Sequence, residues 1–106
     1  MDNFKILYQI LRTMEAALDK EDLNLEDISA ERFHISENRW CRLMKMLIDS
    51  GYIEGMRIRY AADGKLMILI SNPAITLKGL EYLEENTMMK KAYKVLKGIK
   101  DVTPGI

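Results

Sequence analysis

Residues 36–60, SENRWCRLMKMLIDSGYIEGMRIRY, change hydrophobic period in mid-course. Before Gly51, Trp40, Leu43, Met44, Leu47 and Ile48 recur every three or four positions, which predicts a helix over about 37–50 with one apolar face. Ser36 is a good N-cap for it, and Gly51 a natural left-handed stop. After Gly51 the period falls to two. Met56, Ile58 and Tyr60 alternate with Arg57 and Arg59, so a strand over about 52–60 would have an apolar face and a cationic one. Ile53 is out of phase with Met56, which predicts a bulge or bend at Glu54-Gly55. Asp63-Gly64 then signals a hairpin turn into a second strand over about 66–71. A two-stranded hairpin is marginal alone in water. The order, a helix stopped at a glycine and followed by an antiparallel hairpin, restricts the fold more than any other feature of the chain.

The flanking segments supply further helices. Phe4, Leu7, Leu11, Met14 and Leu18 form a helical stripe over 3–18, widened by Ile6, Ile10 and Ala17. Asn24 can cap a short second helix over about 25–32, with Asp27 supporting its N-terminus. Pro73 separates the hairpin from a fourth helix capped by Thr76 and ended by Asn86. Thr87 can cap a fifth over about 88–101, with Met89, Ala92, Leu96 and Ile99 as its stripe, and residues 102–106 read as a frayed tail. The expected fold is α+β, a single winged helix-turn-helix domain spanning 1–106 with its core in about 3–101: three helices, a hairpin wing and two C-terminal helices.

The 106 residues suffice for one core, and no apolar run approaches the length of a membrane span. The start lacks a positive n-region and a cleavage site, and Cys41 is the single cysteine, so a cytoplasmic protein without an internal disulfide is expected. Net charge is zero, which argues against a strong nonspecific nucleic-acid binder. The charges are nonetheless segregated, with an acidic excess of four in residues 1–35 and a basic excess of four in residues 36–106.

SGYIEG, ITLKGLEYLEEN and KKAYKVLKGIKD together resemble the YjcQ-like family of small bacterial and prophage proteins, over about residues 25–101. The tail element is the more specific one. The resemblance implies a winged-helix fold and no established activity. Any role for the cations must be argued from this chain.

Arg39, Arg42 and Lys45 repeat on one face of the third helix, with Ser36 and Asn38 near its N-terminus, where a phosphate can approach. Arginine can read guanine and asparagine can read adenine in the major groove. Arg57, Arg59 and Lys65 would form a second cluster on the wing, suited to the DNA backbone. These eight residues are the expected site of a DNA-binding transcription regulator acting on double-stranded DNA, with the third helix in the major groove. A protein-interaction module on the same scaffold is the alternative. A continuous positive surface would favour the first, and cations interrupted by Glu31, Glu37, Glu54 and Asp63 the second. The first and fifth helices are both amphipathic, so either one docks on the other in a monomer or an apolar strip on one of them serves a homodimer, the preferred outcome. Trp40 reads as a core residue. His34 and Cys41 lack the companions of a metal site and any signature of a nucleophile pair, so no metal, cofactor or enzymatic activity is expected.

Overall fold

The computed structural model describes residues 2–96, and its elements follow from local chemistry at nearly every boundary. Helix α1 (Asn3–Ala16) starts where the Asp2 carboxylate accepts the Lys5 amide at 2.9 Å. It buries Ile6, Tyr8, Ile10, Leu11 and Met14. Phe4 and Leu18, at the two ends of the expected stripe, are exposed. Tyr8 lies inside the core.

The expected second helix is not an α-helix. Leu25–Ile28 form one 3-10 turn, with the Asn24 side chain accepting the Glu26 amide at 3.1 Å. Ser29 then adopts an extended backbone. Its hydroxyl donates to the Glu26 carbonyl at 2.8 Å and accepts from the Arg32 amide at 3.2 Å. Such local bonds offer the backbone an alternative to the helical ladder. The chain continues in turns to His34, itself left-handed at φ 55°.

Helix α2 (Glu37–Asp49) is capped by the Ser36 hydroxyl, which accepts the Arg39 amide at 3.1 Å. Trp40 Nε1 donates to the Ile28 carbonyl at 2.7 Å and so pins the preceding turn against α2. After Gly51 the chain enters β1 (Ile53–Tyr60), which pairs antiparallel with β2 (Leu66–Ile75). At the tip the Gly64 amide donates to the Ala61 carbonyl and the Ala61 amide to that of Lys65, both at 2.8 Å. Strand β2 runs past its expected end and through Pro73. Ala74 and Ile75 still pair with Glu54 and Ile53, while residues 71–73 loop out opposite Gly55, so Pro73 owes no donor to the ladder.

Helix α3 (Leu77–Glu85) is joined to the end of α2 by one side chain. The Thr76 hydroxyl donates to the Gly51 carbonyl at 2.6 Å and accepts from the Gly79 amide at 3.1 Å. Thr76→Ala loses both bonds and should lower stability by about 1–2 kcal/mol in a urea titration. Helix α4 (Thr87–Leu96) follows Asn86, and Met89 on it packs against the core. The remainder of the expected fifth helix, including Ile99, and the tail lie outside the described residues.

Among the described residues the fold is α+β, with four α-helices and a two-stranded antiparallel sheet, the expected second helix being only a 3-10 turn. One buried cluster unites Ile6, Ile10, Leu11 and Met14 of α1 with Ile28, Phe33, Leu43, Met44, Leu47, Ile53, Met56, Ile75 and Leu83. Helix α2 packs chiefly on the hairpin and α1.

Candidate functional site

The outer face of α2 carries Asn38, Arg42, Met46 and Asp49, all exposed, with Lys45 half-exposed beside them. It stays open because α1 and the hairpin cover only the apolar face. Its charges are partly committed. The Arg39 guanidinium donates to Asn3 Oδ1 through Nε at 2.9 Å and Nη2 at 2.6 Å, which ties α2 to the first turn of α1. Lys45 is paired with Asp49, and that hydrogen bond, with the carboxylate charge, raises the lysine pKa. Ser36 spends its acceptor on the helix cap. Asn38 and Arg42, one turn apart, hold no side-chain bond among the described residues.

The hairpin tip leans over the N-terminal half of α2. Lys65, Leu66, Met67 and Ile68 form one wall of a cleft of about 300 Å³, and Glu37, Asn38, Trp40 and Cys41 form the other. Lys65 therefore joins Asn38, and Tyr60 is close enough to Lys45 to act on it electrostatically. Asp63 accepts the Lys65 amide at 3.0 Å, so this acid shapes the turn.

Arg57 and Arg59 are placed differently. Their cross-strand partners are Leu69 and Met67, whereas Ile58 pairs with Ile68, which faces α2. Successive residues of a strand point to opposite faces. The two arginines thus lie on the hairpin face turned away from α2. Of the eight expected site residues, the fold gathers Ser36, Asn38, Arg42, Lys45 and Lys65 around one edge of α2. It diverts Arg39 to Asn3 and leaves Arg57 and Arg59 on another surface. Glu37 stands within the cleft, and Glu54 is exposed at the hairpin root, so acids do interrupt the cations.

Cys41 is buried beside this cleft. Burial raises its thiol pKa, nearby Glu37 adds to the rise, and Lys65 opposes it. His34 is exposed, and no hydrogen bond joins it to Cys41. A fold that raises the thiol pKa keeps its full contribution to stability below the unfolded value. It loses that contribution as pH climbs through the folded one. Alkylation of Cys41 at pH 8 should accordingly be slow in the folded protein and fast in denaturant, a comparison that mass spectrometry reads directly. Among the described residues no group of three His, Cys, Asp or Glu could hold a metal ion, and no helix is long and apolar enough to cross a membrane.

Two participants carry no sequence signal of their role. Asn3 meets Arg39 across 36 positions of chain, and Tyr60 comes beside α2 only because the hairpin folds back on it.

The family described as YjcQ protein matches residues 8–102. The chain belongs to the YjcQ family. A relative from Bacillus subtilis (strain 168), "Uncharacterized protein YjcQ", is 32% identical over 101 residues, covering 95% of this chain and 97% of its own. No solved structure matches the chain. The match begins within α1 and takes in α2, the hairpin and both later helices, so the candidate surface lies wholly inside the family's extent except for Asn3.

Proposed function

We propose that this YjcQ family member is a winged helix-turn-helix DNA-binding protein, a transcription regulator in which α2 reads the major groove. The single observation behind the reading is the uncovered outer face of α2, where Asn38 and Arg42 are exposed and Lys65 of the hairpin tip stands across a cleft from Asn38. Asn38 and Arg42 suit base edges, and Lys65 suits a phosphate. Arg39 acts at one remove, by holding α2 to α1. Lys45 would exchange Asp49 for a phosphate on binding. Arg57 and Arg59 would reach phosphates only on a duplex bent around the hairpin.

This is a small cationic footprint on a chain of zero net charge. Binding should show a shallow salt dependence, with about one unit of slope per phosphate contact. The test is selection from random duplexes, followed by titration of the selected site. Arg42→Ala should cost about 1–3 kcal/mol on the selected site and little on scrambled DNA, which relaxes the preference. Lys65→Ala should weaken both alike and lower the salt slope by about one unit. If wild type prefers no duplex after selection, the proposal fails.

The second reading is a protein-interaction module on the same scaffold. Glu37 among the cations favours it, because interrupted positive charge suits a protein partner better than a duplex, and so do Met46, 55% exposed, and Tyr60, 59% exposed, beside them, since methionine and tyrosine suit adaptable protein contacts.

A further inference from the structure

Two exposed patches of opposite charge adjoin along β2, and neither belongs to the outer face of α2. The first is the connection after α1. Asp19, Glu21, Asp22, Glu26 and Asp27 are exposed there against a single Lys20, and no ion pair engages them among the described residues. Leu18, 57% exposed, and Leu25, 43% exposed, stand among these acids. They border a hollow of about 380 Å³ whose far wall is Asn72, Pro73 and Ala74. The second patch is the hairpin face turned away from α2. Arg57 and Arg59 are exposed on it, without an ion pair among the described residues, and Met67, 43% exposed, stands opposite Arg59 at its edge, where it also borders the α2 cleft. A hollow of about 420 Å³ lies there, between Gly55–Arg57 on one strand and Leu69–Ser71 on the other. Ser71 ends the cationic hollow where Asn72 begins the acidic one.

We propose that these patches bind each other between two copies of the chain. The acids of residues 19–22 on one copy face Arg57 and Arg59 of the second, and Leu18 packs against Met67. The occupant is argued from charge complementarity. Each patch pairs unpartnered charge of one sign with exposed apolar side chains, and the other patch offers the opposite sign with the same apolar character. Because the patches adjoin, a two-fold axis between them brings both pairs into register at once. The contact then closes as a dimer and does not propagate into a filament. Zero net charge removes long-range repulsion between copies. This surface takes the place of the first or fifth helix as the seat of self-association. The inference is independent of the DNA-binding reading, whose base and phosphate contacts rest on Asn38, Arg42 and Lys65.

The test is sedimentation of the full chain and of two charge-reversed variants, R57E/R59E and E21K/D22K. All four positions are exposed, so circular dichroism should show both variants folded. Wild type should dimerise at low salt, and its dissociation constant should rise about tenfold or more between roughly 50 and 500 mM salt, where the Debye length becomes short. Each variant alone should be monomeric, because its patches repel their counterparts. An equimolar mixture should form a mixed dimer, because reversed acids then meet reversed bases at one contact and the native pair meets at the other. A monomeric wild type, a dimer that survives either reversal, or a mixture that stays monomeric would overturn the proposal. Loss of DNA binding would leave every one of these readouts unmoved.

Discussion

Leu47→Ala should remove about 2–5 kcal/mol of stability, the usual cost of emptying a core site that cannot collapse. Leu47 is 2% exposed and belongs to the cluster that α1, α2 and the root of the hairpin close between them. A domain of this size has about 5–15 kcal/mol in hand, so the loss is a large share of the total. Each kcal/mol should lower the melting temperature by roughly 4–8 °C. Met46 is the internal control. It lies one position earlier and points outward, so Met46→Ala should stay within about 0.5 kcal/mol of wild type. Urea titration of the two variants measures the orientation of α2 directly. Equal effects would mean that the helix presents a different face to the core, and the assignment of Asn38 and Arg42 to the surface would fall with it.

Gly55→Ala should cost about 2–5 kcal/mol from two separate sources. Gly55 sits at φ +80°, which charges any other L-residue about 1–2 kcal/mol. It also lies under the looped-out residues of β2. A Cβ there would come within 2.2 Å of the Asn72 carbonyl oxygen and 2.7 Å of the Ser71 oxygen. Backbone cannot yield as a flexible side chain does, so overpacking adds about 1–3 kcal/mol. Gly64→Ala separates the two terms. Gly64 has a similar φ of +84° at the hairpin tip, but nothing lies within 4 Å of its Cβ position. It should show the backbone term alone. Matching losses for the two alanine variants in chemical denaturation would show that β2 does not pass close over Gly55.

The elements read well from the sequence where their causes are local. Ser36, Thr76 and Asn24 serve as caps as expected, because a cap needs only a side chain and an amide two or three residues on. The apolar face of α2, the bend at Glu54-Gly55 and the turn at Asp63-Gly64 were legible for the same reason. The second helix was misjudged because the Ser29 hydroxyl competes with the helical ladder, and composition alone does not say which bond wins. Pro73 read as the end of the hairpin because a ladder position needs a donor. It lies within β2 because the strand escapes the ladder there. The candidate site was half legible. Arg39, Arg42 and Lys45 share a helix face by spacing, but spacing does not reveal that Arg39 turns to Asn3.

The chain's own order of residues sufficed for the helical and alternating periods, for the helix stops and caps, and for the separation of acidic front from basic back. Each of these depends on neighbours within a few positions, whose geometry the backbone imposes. Tertiary structure alone decided which cations share a surface. Arg57 and Arg59 were known to occupy one face of a strand, yet which way that face would look depended on the side of the hairpin that packs on α2. Burial of Met56 in the core, with half-buried Ile68 packed against it, settled it, because apolar area removed from water outweighs the freedom of two exposed arginines to point either way. The same choice turned the cationic face outward beside the acids of residues 19–27, a juxtaposition between segments some thirty positions apart that no local pattern records.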